Sequence, residues 1–123
     1  MPFHIAQPDG RIEVTLTGAL TVKDLRGAIS AVAAIEGSTS PVPDRLIDLS
    51  ASTGLQLDFP AIHEIATQRR AIMLANPIKS AIVAPEAAHV GFARMFQTLL
   101  DHPLITVKIF PDRDSALAWL AAS

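Results

Sequence analysis

The 123-residue chain contains no cysteine, so no disulfide staples it, and neither thiol catalysis nor a thiolate metal site is open to it. That absence fits a reducing compartment. Charge is also scarce: Asp, Glu, Lys and Arg make up 18% of the residues, and the formal net charge is -2. A nucleic-acid partner needs clustered Lys and Arg to displace counterions, and the one adjacent basic pair, Arg69-Arg70, is far too little, so no nucleic acid is expected as a partner. Missing too is any apolar run near the roughly 20 residues that cross a bilayer. Met1-Pro2-Phe3-His4-Ile5 has neither the charged leader nor the apolar core of a secretory signal. The expectation is a soluble cytoplasmic protein.

What the chain has is apolar content, 50% of its residues, and enough length for one domain over 1–123. A chain of this size buries about two-thirds of its unfolded surface. The spacing predicts strands at Phe3 to Ala6 and Arg11 to Thr17, joined by Gln7-Pro8-Asp9-Gly10 as a β-hairpin, with Glu13 on a wetter face opposite Ile12, Val14 and Leu16. Thr21 and Asp24 form a capping box for a helix whose stripe is Val22, Leu25, Ile29 and Val32, with Gly37 as its stop. Arg45 to Leu49 reads as a strand that empties into a polar turn, Ser50-Ala51-Ser52-Thr53-Gly54. A second helix then runs from an Asp58 cap to Ala75, with Ile62, Ile65, Ala66 and Met73 inside. Ala81-Ile82-Val83-Ala84 is an apolar run without alternation, so Ser80 to Ala84 reads as a strand parallel to the one at Arg45 and covered on both faces. A third helix (Glu86 to Leu100), an outer strand (Ile105 to Phe110) and a helix capped by Asp112 complete the chain. The fold class is therefore α/β: a single-domain, mixed, mainly parallel sheet of about five strands, an N-terminal hairpin and about four helices.

Five short words, in order, resemble the STAS-domain superfamily, and more closely its SpoIIAA-like branch of small bacterial proteins linked to Sec14-type lipid carriers. They are Gly18-Ala19-Leu20-Thr21 opening the first helix, Leu46-Ile47-Asp48-Leu49, Leu57-Asp58-Phe59, Gly91-Phe92-Ala93-Arg94-Met95-Phe96, and Ala116-Leu117-Ala118-Trp119-Leu120. The resemblance implies a four-helix, mixed-sheet binding module. In the superfamily's anti-sigma-factor antagonists the second helix opens with Asp-Ser-Ser-Gly, whose first serine is phosphorylated to break binding to a kinase. The corresponding residues here are Asp58-Phe59-Pro60-Ala61, and Phe59 has no hydroxyl, so that phosphoswitch does not carry over.

Ligands of parallel sheets gather beyond the carboxyl ends of the strands, which makes the stretch after Leu49 the first place to look. Ser50, Ser52 and Thr53 are candidates for phosphorylation or for hydrogen-bonding an anion, although such hydroxyls more often satisfy a turn. Asp58 lies at the same mouth, and Arg94 is a candidate to hold a carboxylate or phosphate there, against the plainer reading of a snorkelling arginine. Phe92, Met95 and Phe96 form a candidate apolar ligand or interface surface on a third helix that is apolar beyond one stripe, although a core stripe looks the same. His4, His63, His89 and His102 are scattered without metal spacing, and no nucleophile elbow is present. No catalytic set, metal or cofactor is expected. The expected function is a non-enzymatic regulatory or lipid-associated module for a protein partner or an amphiphilic small molecule, with peripheral membrane contact or a homodimer as its working form. The alternative is a small hydrolase or transferase using the loop after the central strand.

Overall fold

The computed structural model describes residues 2–122. Along the chain run β1 (Phe3–Ala6), β2 (Ile12–Leu16), β3 (Gly18–Thr21), α1 (Val22–Ser38), β4 (Arg45–Asp48), β5 (Ser52–Gln56), α2 (Phe59–Arg70), β6 (Ile78–Val83), α3 (Ala87–Leu100), β7 (Ile105–Phe110) and α4 (Arg113–Ala121). Five strands form the main sheet in the order β1-β2-β4-β6-β7. β1 and β2 are antiparallel, while β2–β4, β4–β6 and β6–β7 are parallel. The expected wiring is thus present, with β4 and β6 adjacent, the hairpin on one side and β7 on the other. The hairpin turn uses positive φ at Asp9 and Gly10, 52° and 77°, the conformation that Asp-Gly tolerates best.

Register fixes which side chains share a face. Ile12 pairs with Arg45 and Val14 with Ile47, while Arg45 and Ile47 pair in turn with Ser80 and Ile82 on β6. That face is roofed by α1 and α3, whose Ala28, Val32 and Ala93 join Val14, Leu16 and Ile82 in one cluster; α2 packs beside α3. The opposite face carries Leu46, Ala81 and Val83 and is covered by α4 through Ala116 and the partly buried Leu117, Trp119 and Leu120. Each cap anticipated from sequence forms. Thr21 and Asp24 bond reciprocally at 3.3 and 3.0 Å, and Asp58 and Asp112 accept the Ala61 and Ser115 amides at 2.9 and 2.8 Å.

Four details depart from expectation. Gly18–Thr21 leads into α1, which Thr21 caps, but itself forms β3, and Ser52–Gln56, whose Ser52 to Gly54 were expected in a turn, forms its parallel partner β5. Glycine and alanine carry little strand propensity, so the pairing, anchored by the buried Leu20, is what makes these segments strands. Helix α1 runs one residue past Gly37, its last turn closed by the Ser38 hydroxyl on the Ala34 carbonyl at 2.9 Å. Helix α2 stops at Arg70 rather than Ala75, and from there Ile72 and Leu74 turn partly inward while Met73, expected inside, is 95% exposed. The helical period that placed Met73 inside no longer applies to an extended chain. Glu13, expected on a wet face, is buried because Arg11 reaches it at 2.6 Å and Arg113 binds its other oxygen.

Candidate functional site

The residues flagged after the β4 strand are engaged locally. Ser50 is exposed, and both its amide and its hydroxyl donate to Asp48 Oδ1, at 2.9 and 2.5 Å. Ser52 is buried on β5, its hydroxyl 3.5 Å from the Gly54 carbonyl. Thr53 is exposed on the same strand, and exposed Asp58 caps α2. Buried His89 brings Nε2 to 3.1 Å from the Ser52 carbonyl, not its hydroxyl, so the two do not form a nucleophile–base pair; its Nδ1 has no partner among the described residues. Arg94 is exposed on α3, with no ion-pair partner among the described residues. Phe59, standing where relatives of the resemblance carry a serine, is likewise on the surface, its ring 5.9 Å from that of His63. Phe92 and Phe96 stack at 6.2 Å and pack against the two apolar clusters on the helix-covered face, while Met95 is half-buried beside them.

The most unusual chemistry lies at the other end of the sheet. Arg45 begins β4 on the helix-covered face and is 3% exposed; Glu36, in the last turn of α1, is 8% exposed, and Arg69, in the last turn of α2, is 3% exposed. Glu36 accepts from Arg45 Nη1 at 2.8 Å and from Arg69 Nη1 and Nη2 at 2.7 and 3.0 Å, and Arg45 Nε donates to Ser80 Oγ at 3.1 Å. One carboxylate thus sits between two guanidiniums away from water. Burial pushes the Glu36 carboxyl up, but the hydrogen bond from Arg69 and the charges of both arginines outweigh it, and its pKa lies below the ordinary value. Burial and the like charge of Arg69 push Arg45 down to about 10 against the pull of Glu36. It remains a cation at neutral pH.

Sequence reasoning passed over this triad, although the signal was present. Glu36 extends the stripe Leu25, Ala28, Val32; Arg69 extends Ile62, Ile65, Ala66; and Arg45 alternates in phase with Ile47 and Leu49. Each charge occupies a core position by periodicity.

The triad borders an apolar cavity of about 50 Å³ between α1 and the sheet, lined by Val14, Leu16, Leu25, Ala28, Ile29, Val32, Arg45, Ile47, Arg69 and Phe96. A second, about 160 Å³, lies in the seam between α1 and α2, lined by Arg26, Ile29, Ser30, Ile65 and Gln68. Ile29 belongs to both. The seam is bridged by Arg26 with Glu64 at 3.0 Å near its outer end and by Glu36 with Arg69 at the triad. Among the described residues no cluster of three or more His, Asp or Glu could hold a metal, and no helix is long and apolar enough to cross a membrane.

No protein-family model and no curated protein matches the chain. Among solved structures it is similar to an uncharacterized protein of the DUF3478 family with a SpoIIAA-like fold, from Shewanella loihica PV-4. The two are 21% identical over 97% of this chain and 92% of that one, with a TM-score of 0.61. A likeness of that breadth is one of fold, and the fold of this chain is SpoIIAA-like.

Proposed function

We propose that this chain is a binding module rather than a catalyst, and that it takes a small amphiphile in the seam between α1 and α2, with the apolar part of the ligand against the sheet. The observation that carries this reading is the apolar cavity beneath α1, edged by two guanidiniums, with a second cavity in the seam that shares Ile29 with it. Ligand sites are mostly apolar with a few placed polar groups, and this is the place in the molecule with that composition. The seam is held by side-chain ion pairs at both ends, so α1 and α2 part without breaking a strand ladder. Against catalysis stands the engagement of the Ser50 hydroxyl with Asp48 and of the Ser52 hydroxyl with the Gly54 carbonyl, with no histidine hydrogen-bonded to either hydroxyl among the described residues. Uptake of such a ligand from a membrane surface, by transient peripheral contact, belongs to the same reading.

Native mass spectrometry of the freshly purified protein, with thermal shift against a series of short-chain amphiphiles, tests the proposal. The expected result is retained small molecules or a rise in Tm with the series. A chain that carries nothing and whose Tm no amphiphile moves overturns it.

A further inference from the structure

We infer that the ligand of the seam is a monocarboxylate with a short aliphatic tail, its carboxylate received by Arg45 and Arg69. This rests on the binding-module reading and narrows its ligand class.

The inference starts from charge. Two buried guanidiniums face one carboxylate, and among the described residues no second acid lies within ion-pairing distance of either, so the triad carries one surplus positive charge. The bonds to Glu36 and Ser80 engage Nε and Nη1 of Arg45 and Nη1 and Nη2 of Arg69. Nη2 of Arg45 and Nε of Arg69 take no part in them. Both arginines line the inner cavity. An added carboxylate there completes an alternation of two cations and two anions, and a planar carboxylate is the group that a guanidinium edge receives best. A neutral head would leave the surplus as it is, and a cationic head would double it.

Size sets the tail. An apolar cavity of about 150 Å³ takes up benzene, about 25 Å³ per carbon. On that scale the inner cavity, about 50 Å³, and the seam cavity, about 160 Å³, together take about eight heavy atoms, the number in hexanoate. A straight chain running from the guanidiniums past Ile29 and Ile65 toward Arg26 and Glu64 fits this course.

The experiment uses the full chain and two probes of equal carbon number, hexanoate and 1-hexanol, titrated at neutral pH by NMR against wild type and Arg69→Gln. The expected result is hexanoate binding at least about ten-fold tighter than hexanol to wild type, as one charge-assisted bond implies, with shifts centred on α1, α2 and the Arg45 and Arg69 side chains. In Arg69→Gln, which leaves Glu36 and Arg45 as a balanced pair, that preference falls to within about two-fold while hexanol binding is kept. Equal binding of the two probes to wild type overturns the carboxylate inference and leaves the apolar site standing. Binding of neither overturns both. A preference that Arg69→Gln leaves intact, or shifts confined to another face, also overturns the inference. Should Arg69→Gln fail to fold, the head-group comparison and the shift map on wild type decide alone.

Discussion

Removing Glu36 and removing Arg69 break the same ion pair, yet they should differ sharply in cost. Glu36→Gln leaves two guanidiniums, each 3% exposed, facing one another without a counter-charge. Truncating one partner of a buried pair costs about 3–5 kcal/mol because the remaining charge is stranded. Arg69→Gln removes the surplus cation instead, leaves Glu36 bonded to Arg45 at 2.8 Å, and gives up two hydrogen bonds to Glu36 at 2.7 and 3.0 Å, one of which the amide can replace. Its cost is about 1–2 kcal/mol. The gap, about 2.5 kcal/mol between the midpoints of these ranges, is large beside a total stability of about 5–15 kcal/mol, and corresponds to about 8–12 °C in Tm for a domain of this size. Urea unfolding reports it through the single tryptophan, Trp119, half-buried with its ring 5.6 Å from that of Phe110. If Glu36→Gln proves no more damaging than Arg69→Gln, the carboxylate is not the counter-charge of a dry cluster, and the account of the triad fails.

Glu36 and Glu13 both titrate below the ordinary carboxylate value, since their arginine partners outweigh burial. Their stabilising contribution is therefore fully present above about pH 4.3 and is lost as pH falls through the depressed folded values; urea midpoints from pH 6 down to about 2 should show the loss, and Glu36→Gln should flatten the slope. Gly91 and Gly27 separate helix propensity from packing: Gly91→Ala on α3 meets open space and should stabilise by about 0.5–1 kcal/mol, whereas a Cβ at Gly27 lies 3.1 Å from Phe3 Cε1, so Gly27→Ala should gain less or lose. Equal gains in urea unfolding would show that the Phe3 ring yields freely. On α3, Phe92→Asp should cost about 3 kcal/mol, since Phe92 packs against the core, whereas Met95→Asp should stay within about 1 kcal/mol of wild type and weaken self-association or micelle binding in sedimentation velocity.

Periodicity was legible wherever a segment's own stripe matched its tertiary role. The capping box of α1, the apolar Ala81–Val83 run of β6 and the alternation of β7 each state their environment locally, and the sheet order follows from them by short crossovers. β3 and β5 were not legible, because Gly18–Thr21 and Ser52–Gln56 are strands only in each other's company. The triad was hidden for a different reason. Arginine and glutamate are read as surface residues, and a single basic pair such as Arg69-Arg70 reads as one patch, yet a helix turns by 100° per residue, so Arg69 goes into the core while Arg70 stays in water. Only its partner Glu36, 33 positions away on α1, makes Arg69 tolerable there.

The surplus charge has a competing counterweight in the helix ends. α1 and α2 both finish near the triad, and each carries roughly half a negative charge on its terminal carbonyls, nominally enough to cancel one cation. Magnitude decides against them. A helix end in contact with water contributes about 0.3–1 kcal/mol, and these carbonyls are already bonded: Ala34 and Ile35 to the Ser38 hydroxyl, Thr67 and Arg69 to the amides of Ala71 and Ile72. A hydrogen bond between charged groups contributes about 1.5–3 kcal/mol. The guanidiniums should therefore gain more from a bonded anion than from the dipoles, and most when Glu36 is absent. Acetate, whose carboxylate replaces that of Glu36, should restore part of the lost stability of Glu36→Gln and raise it further than that of wild type, while chloride at equal ionic strength should not. If both salts act alike on both proteins, screening alone is at work and the helix ends suffice as the counter-charge.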